Sequence, residues 1–307
     1  MPEKAEVRHT LSELEARQLA NVTKTVPMMT EITPRWLVQL LQWVPVEAGT
    51  YRVNKVTPAS SESRTIECSP GQEVDLPEIH VDYEEKPREY TLCAVTTVLD
   101  LQTRISDMYR SPHDQIKEQL RLIIEKVKER QESELINNSG YGLLKNVYDS
   151  MRVKVRKGAP TPDDLDELIA KVWKEPAFFL AHPRAIAAFG RECTQRGVPP
   201  PTVNIFGSPF LTWRGIPLVP SDKVPIKAEK TNILLLRTGE KKQGVVGLFQ
   251  PGIPGEVAPS LSVRFMGINH RAIASYLISL YCSLAVLTED ALGVLEGASV
   301  DQYHEYK

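Results

Sequence analysis

The side chains with the most chemistry to offer are six histidines and four cysteines, and neither set is spaced to use it. His9, His80, His113, His182, His270 and His304 form no HExxH or HxxxH arrangement, so no helix turn presents two imidazoles to one metal ion. Cys68, Cys93, Cys193 and Cys282 are scattered with no CxxC pair, which fits reduced thiols rather than a zinc site or a disulfide framework. Arg191 and Arg196 flank Cys193 and would lower its thiol pKa if all three met solvent together. Free cysteine is among the most buried residue types, so an inert helix cysteine is the expectation. His182 stands directly before Pro183 and reads as a helix cap.

Other candidates reduce to structural roles. Gly252-Ile253-Pro254-Gly255 contains a proline and leads into no helix, so it cannot bare the run of backbone N–H groups that cradles phosphate. Ser208, in Phe206-Gly207-Ser208-Pro209, lacks the GxSxG frame, and the proline after it removes an N–H that an oxyanion hole would use. Asp163-Asp164 reads as first-turn helix acid. Arg152 to Lys157 alternates cations with valines without interleaved aromatics, as a strand with one wet face does. No residue is assigned to catalysis, cofactor or metal.

The elements that would carry these residues can be read in order. Thr33-Pro34-Arg35-Trp36 predicts a capped helix start, with Trp36, Leu37, Leu40, Leu41 and Trp43 on a short helix ended by Pro45 and Gly49. From Tyr51 to about Val98, short alternating runs between prolines predict extended strands and loops that bury too little to be ordered alone and lie on a neighbouring molecule. Ser111-Pro112-His113-Asp114 opens the longest helix, with Ile116, Leu120, Ile123, Ile124 and Val127 at helical spacing, running to about Ile136. Thr161-Pro162 and His182-Pro183 start two more helices, the second stopping at Gly197. Strands follow around Ile205, Phe210, Ile216 and Ile233, then a Gly/Pro loop from Gly244 to Gly255, and a last short helix from Thr288. Helices grouped before strands give an α+β fold.

Composition narrows the function. The 307 residues, 42% hydrophobic and 25% charged, suit a folded protein with a substantial core. With 37 Lys+Arg against 39 Asp+Glu the formal charge is −2, so no global basic field holds nucleic acid or an anionic membrane. The most apolar tract, Ile273 to Leu287, is interrupted by serines and falls short of the ~20 apolar residues that span a bilayer. The charged N-terminus lacks the apolar core of an export signal, which makes the cytoplasm the expected location.

Several segments carry a resemblance: Gln18-Leu19-Ala20-Asn21 to Thr25, Ile32 to Leu37, Trp43-Val44-Pro45-Val46-Glu47-Ala48-Gly49, Tyr51 to Asn54, Phe178 to Pro183, and Ile216 to Pro225. Together they resemble encapsulin shell proteins of the second family, in the branch without a cyclic-nucleotide-binding insertion. The resemblance implies a tailed-phage major-capsid-like fold. It implies an N-terminal arm over 1–50, an extended loop over 51–98, and a peripheral domain with a spine helix over 99–175, joined by part of 256–307. An axial domain would occupy 176–255. It further implies an icosahedral shell of sixty subunits around a cargo enzyme, a cysteine desulfurase held through a disordered segment. The cargo, not the shell, would carry pyridoxal phosphate. Trp36, Trp43, Tyr51 and Arg52 are expected at subunit contacts, and Gln195, Arg196 and Gly197 in a five-fold pore loop within Thr194 to Gly207. No residue is assigned to cargo binding. The nearest rival is a viral capsid protein packaging DNA, which the charge balance disfavours. A soluble enzyme with a site near Cys193 and His182 is a more distant one.

Overall fold

The computed structural model describes residues 32–46, 49–53, 56–57, 82–83, 87–104 and 115–304, with isolated helical positions at 14 and 18. The described elements begin with α1 (Trp36–Leu40), β1 (Trp43–Pro45), β2 (Thr50–Val53), β3 (Val56–Thr57), β4 (Asp82–Tyr83), β5 (Arg88–Thr91) and β6 (Cys93–Arg104). Then come the long helix α2 (Gln115–Asn137), β7 (Arg152–Lys154), α3 (Pro162–Lys171), β8 (Phe178–Ala181) and α4 (Pro183–Gln195). Strands β9 (Thr202–Ile205), β10 (Ser208–Trp213), β11 (Ile216–Pro220), β12 (Lys230–Leu236) and β13 (Val245–Phe249) follow. The chain ends through β14 (Glu256–Ala258), β15 (Leu261–Ile268), β16 (Ile273–Val286) and β17 (Leu292–Ser299).

Two large sheets organise these elements. The first runs β1-β13-β16-β15-β14, with β6 along the other side of β16. The second is a seven-stranded mixed sheet in the order β7-β17-β12-β8-β11-β10-β9. Its central strands β8 and β12 are near-continuous apolar runs because both faces are covered. Helices α3 and α4 join its core through Leu165, Leu168, Ala185 and Phe189. This sheet takes strands from both sides of the expected division at residue 175, and β6 likewise runs through the expected boundary at 98. A second cluster, in which Val127, Leu120, Ile123 and Ile124 of α2 meet Leu261, Ile278 and Leu280, seats the long helix on the first sheet.

The helix caps read from the sequence hold at α3 and α4. Thr161 and Asp164 form a reciprocal capping box at α3. The His182 ring Nδ1 accepts the Arg184 N–H at 3.1 Å, as a cap does. The cap motif expected for α2 lies outside the described residues.

Four expectations change. Thr33 does not cap α1; the residue before that helix is Arg35, in the left-handed region with φ 51°, and the Thr33 hydroxyl donates instead to Glu129 Oε2 at 2.8 Å. The helix also stops at Leu40, because Trp43 is drawn into β1, parallel to β13 and opposite Gly247. The indole occupies the space that a side chain at 247 would need: a Cβ there would lie 2.7 Å from the ring. Residues 245–249, expected within a loop, are a buried strand, since Val245, Val246 and Leu248 fill the interior and outweigh the flanking glycines. The helix expected after Thr288 is only a 3-10 turn, Glu289–Ala291, before β17 begins.

The Trp43–Gly247 contact gives a direct test. Gly247→Val forces methyl groups into the indole and should destabilise the chain by about 2 kcal/mol, read as a lowered urea midpoint. An unchanged midpoint would show that the β1–β13 pairing has slack.

Candidate assembly site

The best-defined surface feature is the place where the segment before α1 is bound to α2. Glu125, Glu129 and Glu132 recur at i, i+4 and i+7, so they line one face of the long helix. The Thr33 N–H donates to Glu129 Oε1 at 2.9 Å. Arg35 Nη1 reaches Glu125 at 2.7 Å and Glu129 at 3.2 Å. The Leu37 N–H donates to Glu132 Oε1 at 3.2 Å. From the loop after β11, Lys223 Nζ meets Glu129 Oε2 at 3.1 Å. Two of the carboxylates, Glu129 and Glu132, thus answer backbone donors at and just before the start of α1, while Glu125 and Glu129 meet cations.

Their electrostatics differ. Glu125 loses from burial, but Arg35 and Lys128 more than offset it and hold its carboxyl below the ordinary range. Glu132 is 1% exposed, and burial, helped by the neighbouring Glu129 charge, pushes it to about 7 despite the Leu37 N–H bond. The stripe itself was visible, but nothing local said that a segment some 90 positions earlier would cover it.

Beside this clamp lies a cavity of about 470 Å³ between α1, α2 and the β14–β15 hairpin, walled by Val38, Trp43, Phe249, Leu261 and Leu280, with Arg35 and Lys128 at its polar side. Its walls suit an apolar group flanked by negative charge.

The residues expected at subunit contacts are dispersed. Trp36 is half-buried within the chain, stacked at 6.2 Å on exposed Phe206 and edge-on to Phe210 at 5.2 Å. The Trp43 Nε1–H donates to Val38 O at 2.9 Å. Tyr51 and Arg52 lie on the β2–β5 ribbon. The Tyr51 hydroxyl donates to Glu240 at 2.8 Å, and burial together with that carboxylate raises it to about 12. Arg52 pairs with cross-strand Glu89 at 2.8 Å in an exposed position, where the pair contributes little. Gln195, Arg196 and Gly197 form the exposed turn that ends α4; Gly197 has φ 72°, and the Val198 N–H returns to Cys193 O at 3.0 Å.

The residues considered for an enzyme site do not converge. His182 and Cys193 sit at opposite ends of α4, about 16 Å apart along the helix axis. Cys193 is fully buried, and burial lifts its thiol to about 11. No group of three or more His, Cys, Asp or Glu placed to hold a metal ion occurs among the described residues.

A long helix seated on one sheet, a second sheet with its own helices and a two-stranded ribbon packed on the first make up a capsid-type fold. The capsid of a native GTA particle has the same fold, with a TM-score of 0.60 at 14% identity over 97% of this chain and 95% of that one. The chain belongs to the SrpI-like type 2A encapsulin shell protein family, whose family model matches residues 52–302. The type 2A encapsulin shell protein SrpI of Synechococcus elongatus is 67% identical over 297 residues, 97% of this chain and 96% of that protein. The cryo-EM structure of the holo-SrpI encapsulin complex from that organism superposes with a TM-score of 0.83 and 64% identity, over 97% of this chain and 99% of that one. The relatives are structural shell proteins, and this chain is one by family, not an enzyme.

Glu132 carries a pH prediction. With its pKa raised from 4.5 to about 7, the folded chain holds a proton that the unfolded chain releases, so this group's stabilisation is complete below about pH 4.5 and is lost as pH rises through 7. The full span is on the order of 3 kcal/mol. Glu132→Gln keeps an acceptor for the Leu37 N–H and should flatten stability between pH 5 and 8, leaving the variant firmer than the parent at pH 8. A variant whose pH profile matches the parent's would assign the titration elsewhere.

Proposed function

We propose that this chain self-assembles in the cytoplasm into an icosahedral shell of sixty subunits that encloses a cysteine desulfurase. The observation that carries the reading is the ribbon. Strands β2 and β5 pair only with each other among the described residues, and so do β3 and β4. The β2–β5 ribbon packs on its own chain, where Tyr51, Val53, Tyr90 and Leu92 meet Val246, Leu248 and Ala285, but β3 and β4, two residues each, are too short a pair to stand alone and need a second surface. In a closed shell that surface is the next subunit, and heterologous contacts that close require a multiple of sixty copies under icosahedral symmetry.

Within that shell the arm would occupy 1–50 and the extended loop 51–98. The long helix would be the spine of a peripheral domain over 99–175, with part of 256–307, and 176–255 would form the axial domain. Arg52, exposed on the ribbon, is the subunit-contact residue this reading favours over Trp36, Trp43 and Tyr51, whose rings are engaged inside the chain. The exposed turn Gln195-Arg196-Gly197 would border the five-fold opening, where Arg196, held loosely by Glu192 at 3.5 Å and Asp163 at 3.8 Å, would present positive charge to passing anions. A disordered segment of the cargo would bind many equivalent inner sites, and avidity would come from their effective concentration.

Deleting Cys68 to Pro87 should abolish particles in negative-stain electron microscopy while leaving soluble chain; hollow particles of normal size would refute the inter-subunit role of the loop. Co-expression with a cysteine desulfurase should give particles that co-elute with pyridoxal phosphate absorbance, and removing the enzyme's disordered segment should leave the same particles empty. Retention of the trimmed enzyme, or exclusion of the intact one, would contradict that cargo assignment.

A further inference from the structure

Two of the thiols that the sequence left unpaired are brought face to face by the fold. Cys93 is the first residue of β6, and Cys282 lies directly opposite it on β16. Directly opposed residues on antiparallel strands have Cα atoms about 4.5–5.5 Å apart and side chains on the same face, within the roughly 4.4–6.8 Å range that a disulfide bridges. Both are free thiols, Cys93 half-buried and Cys282 fully buried. Tyr141, itself buried, hydrogen-bonds to Cys282, and Glu134 faces the pair from the end of α2.

We propose that Cys93 and Cys282 are a redox pair that hydroperoxides close into a disulfide at the root of the β2–β5 ribbon. The chemistry balances in two steps. The Cys93 sulfur attacks the peroxide O–O bond, giving a sulfenic acid and releasing water from hydrogen peroxide or an alcohol from an organic hydroperoxide. The Cys282 thiol then attacks the sulfenic sulfur, forming the S–S bond and expelling a second water. The order follows from access, since only Cys93 is open to solvent. Burial raises both thiols above their ordinary range, Cys282 to about 12, so closure is slow at neutral pH and responds to sustained oxidant rather than to a brief pulse.

The position gives the bond a mechanical consequence. Residues 88–91 form one strand of the ribbon, and Leu92, between β5 and β6, donates its N–H to Gly49 O at 3.1 Å. A bond at Cys93 would pin the point where the ribbon enters the first sheet to the strand at the sheet's centre, and it would close a very long loop, the case in which cross-linking most restricts the unfolded chain. The oxidised chain should therefore resist unfolding more than the reduced one.

The test uses the assembled full-length protein incubated with hydrogen peroxide, then denatured in N-ethylmaleimide and mapped by mass spectrometry. The expected result is loss of two of the four alkylatable thiols, a Cys93–Cys282 cross-linked peptide, and a faster band on a non-reducing gel that dithiothreitol reverses. The thermal midpoint should rise by several degrees in the parent, while Cys93→Ser, at the half-buried position, should assemble yet show neither cross-link nor midpoint shift. Full alkylation of both cysteines after oxidation, Cys93 as sulfinic acid with Cys282 free, or a cross-link through Cys68 or Cys193 would each overturn the proposal.

Discussion

One strand holds together the six-stranded sheet and what packs on it. β16 is fourteen residues long and is bonded along one side to β6, from Cys282 to Ile273, and along the other to β15 and then β13, placed end to end. Through β13 it fixes β1, through β15 it fixes β14, and through β6 it fixes the ribbon. Its apolar residues Ile278 and Leu280 receive the long helix. A strand with partners on both sides for most of its length has little freedom to slip, because a one-residue shift would send Ile278 and Leu280 to the opposite face. Of the serines that interrupt its apolar tract, Ser275 donates its hydroxyl to Asp100 at 2.6 Å, whereas the buried Ser283 hydroxyl has no hydrogen-bond partner among the described residues.

The polar clamp between the arm and the long helix is the second fixed point, and it works differently. It buries charge rather than apolar surface, so its worth depends on complete pairing. Glu129 is satisfied by Thr33, Arg35 and Lys223 together. Glu132 has a single backbone donor and no facing cation within bonding distance, and burial accordingly favours its neutral form. A comparable arrangement beside the seven-stranded sheet is better balanced in charge: buried Arg237 meets both oxygens of Asp290, at 2.8 and 3.2 Å, and holds that carboxyl well below the usual range. One buried cation therefore anchors the turn between β16 and β17, and one set of acids anchors the segment leading into α1.

These anchors also explain why the shell-forming parts can be thin. The ribbon contributes few buried side chains of its own; Tyr90, whose hydroxyl donates to Val286 O at 2.7 Å, ties its base to the sheet. Charge near neutrality lets many copies approach without strong mutual repulsion.

The sequence by itself determined the features that depend on neighbours within a turn or two. The Thr161-Pro162-Asp163-Asp164 capping box, the His182-Pro183 helix start, the stop at Gly197 and the inert burial of Cys193 all rest on local hydrogen bonding and side-chain character, and all were legible. So was the resemblance carried by the segments around Trp36, Tyr51 and Ile216. The tertiary structure decided what depends on distant partners. Val245–Phe249 is a strand although Gly and Pro crowd its surroundings, because β16 offers a ladder and the core has room for its valines. Trp43 leaves the helix because Gly247, two hundred residues later, leaves space for an indole. Glu125, Glu129 and Glu132 became a binding face, and Cys93 met Cys282, only when the chain closed on itself: residue spacing encodes periodicity along the chain, whereas contact across it is set by which buried surfaces fit together.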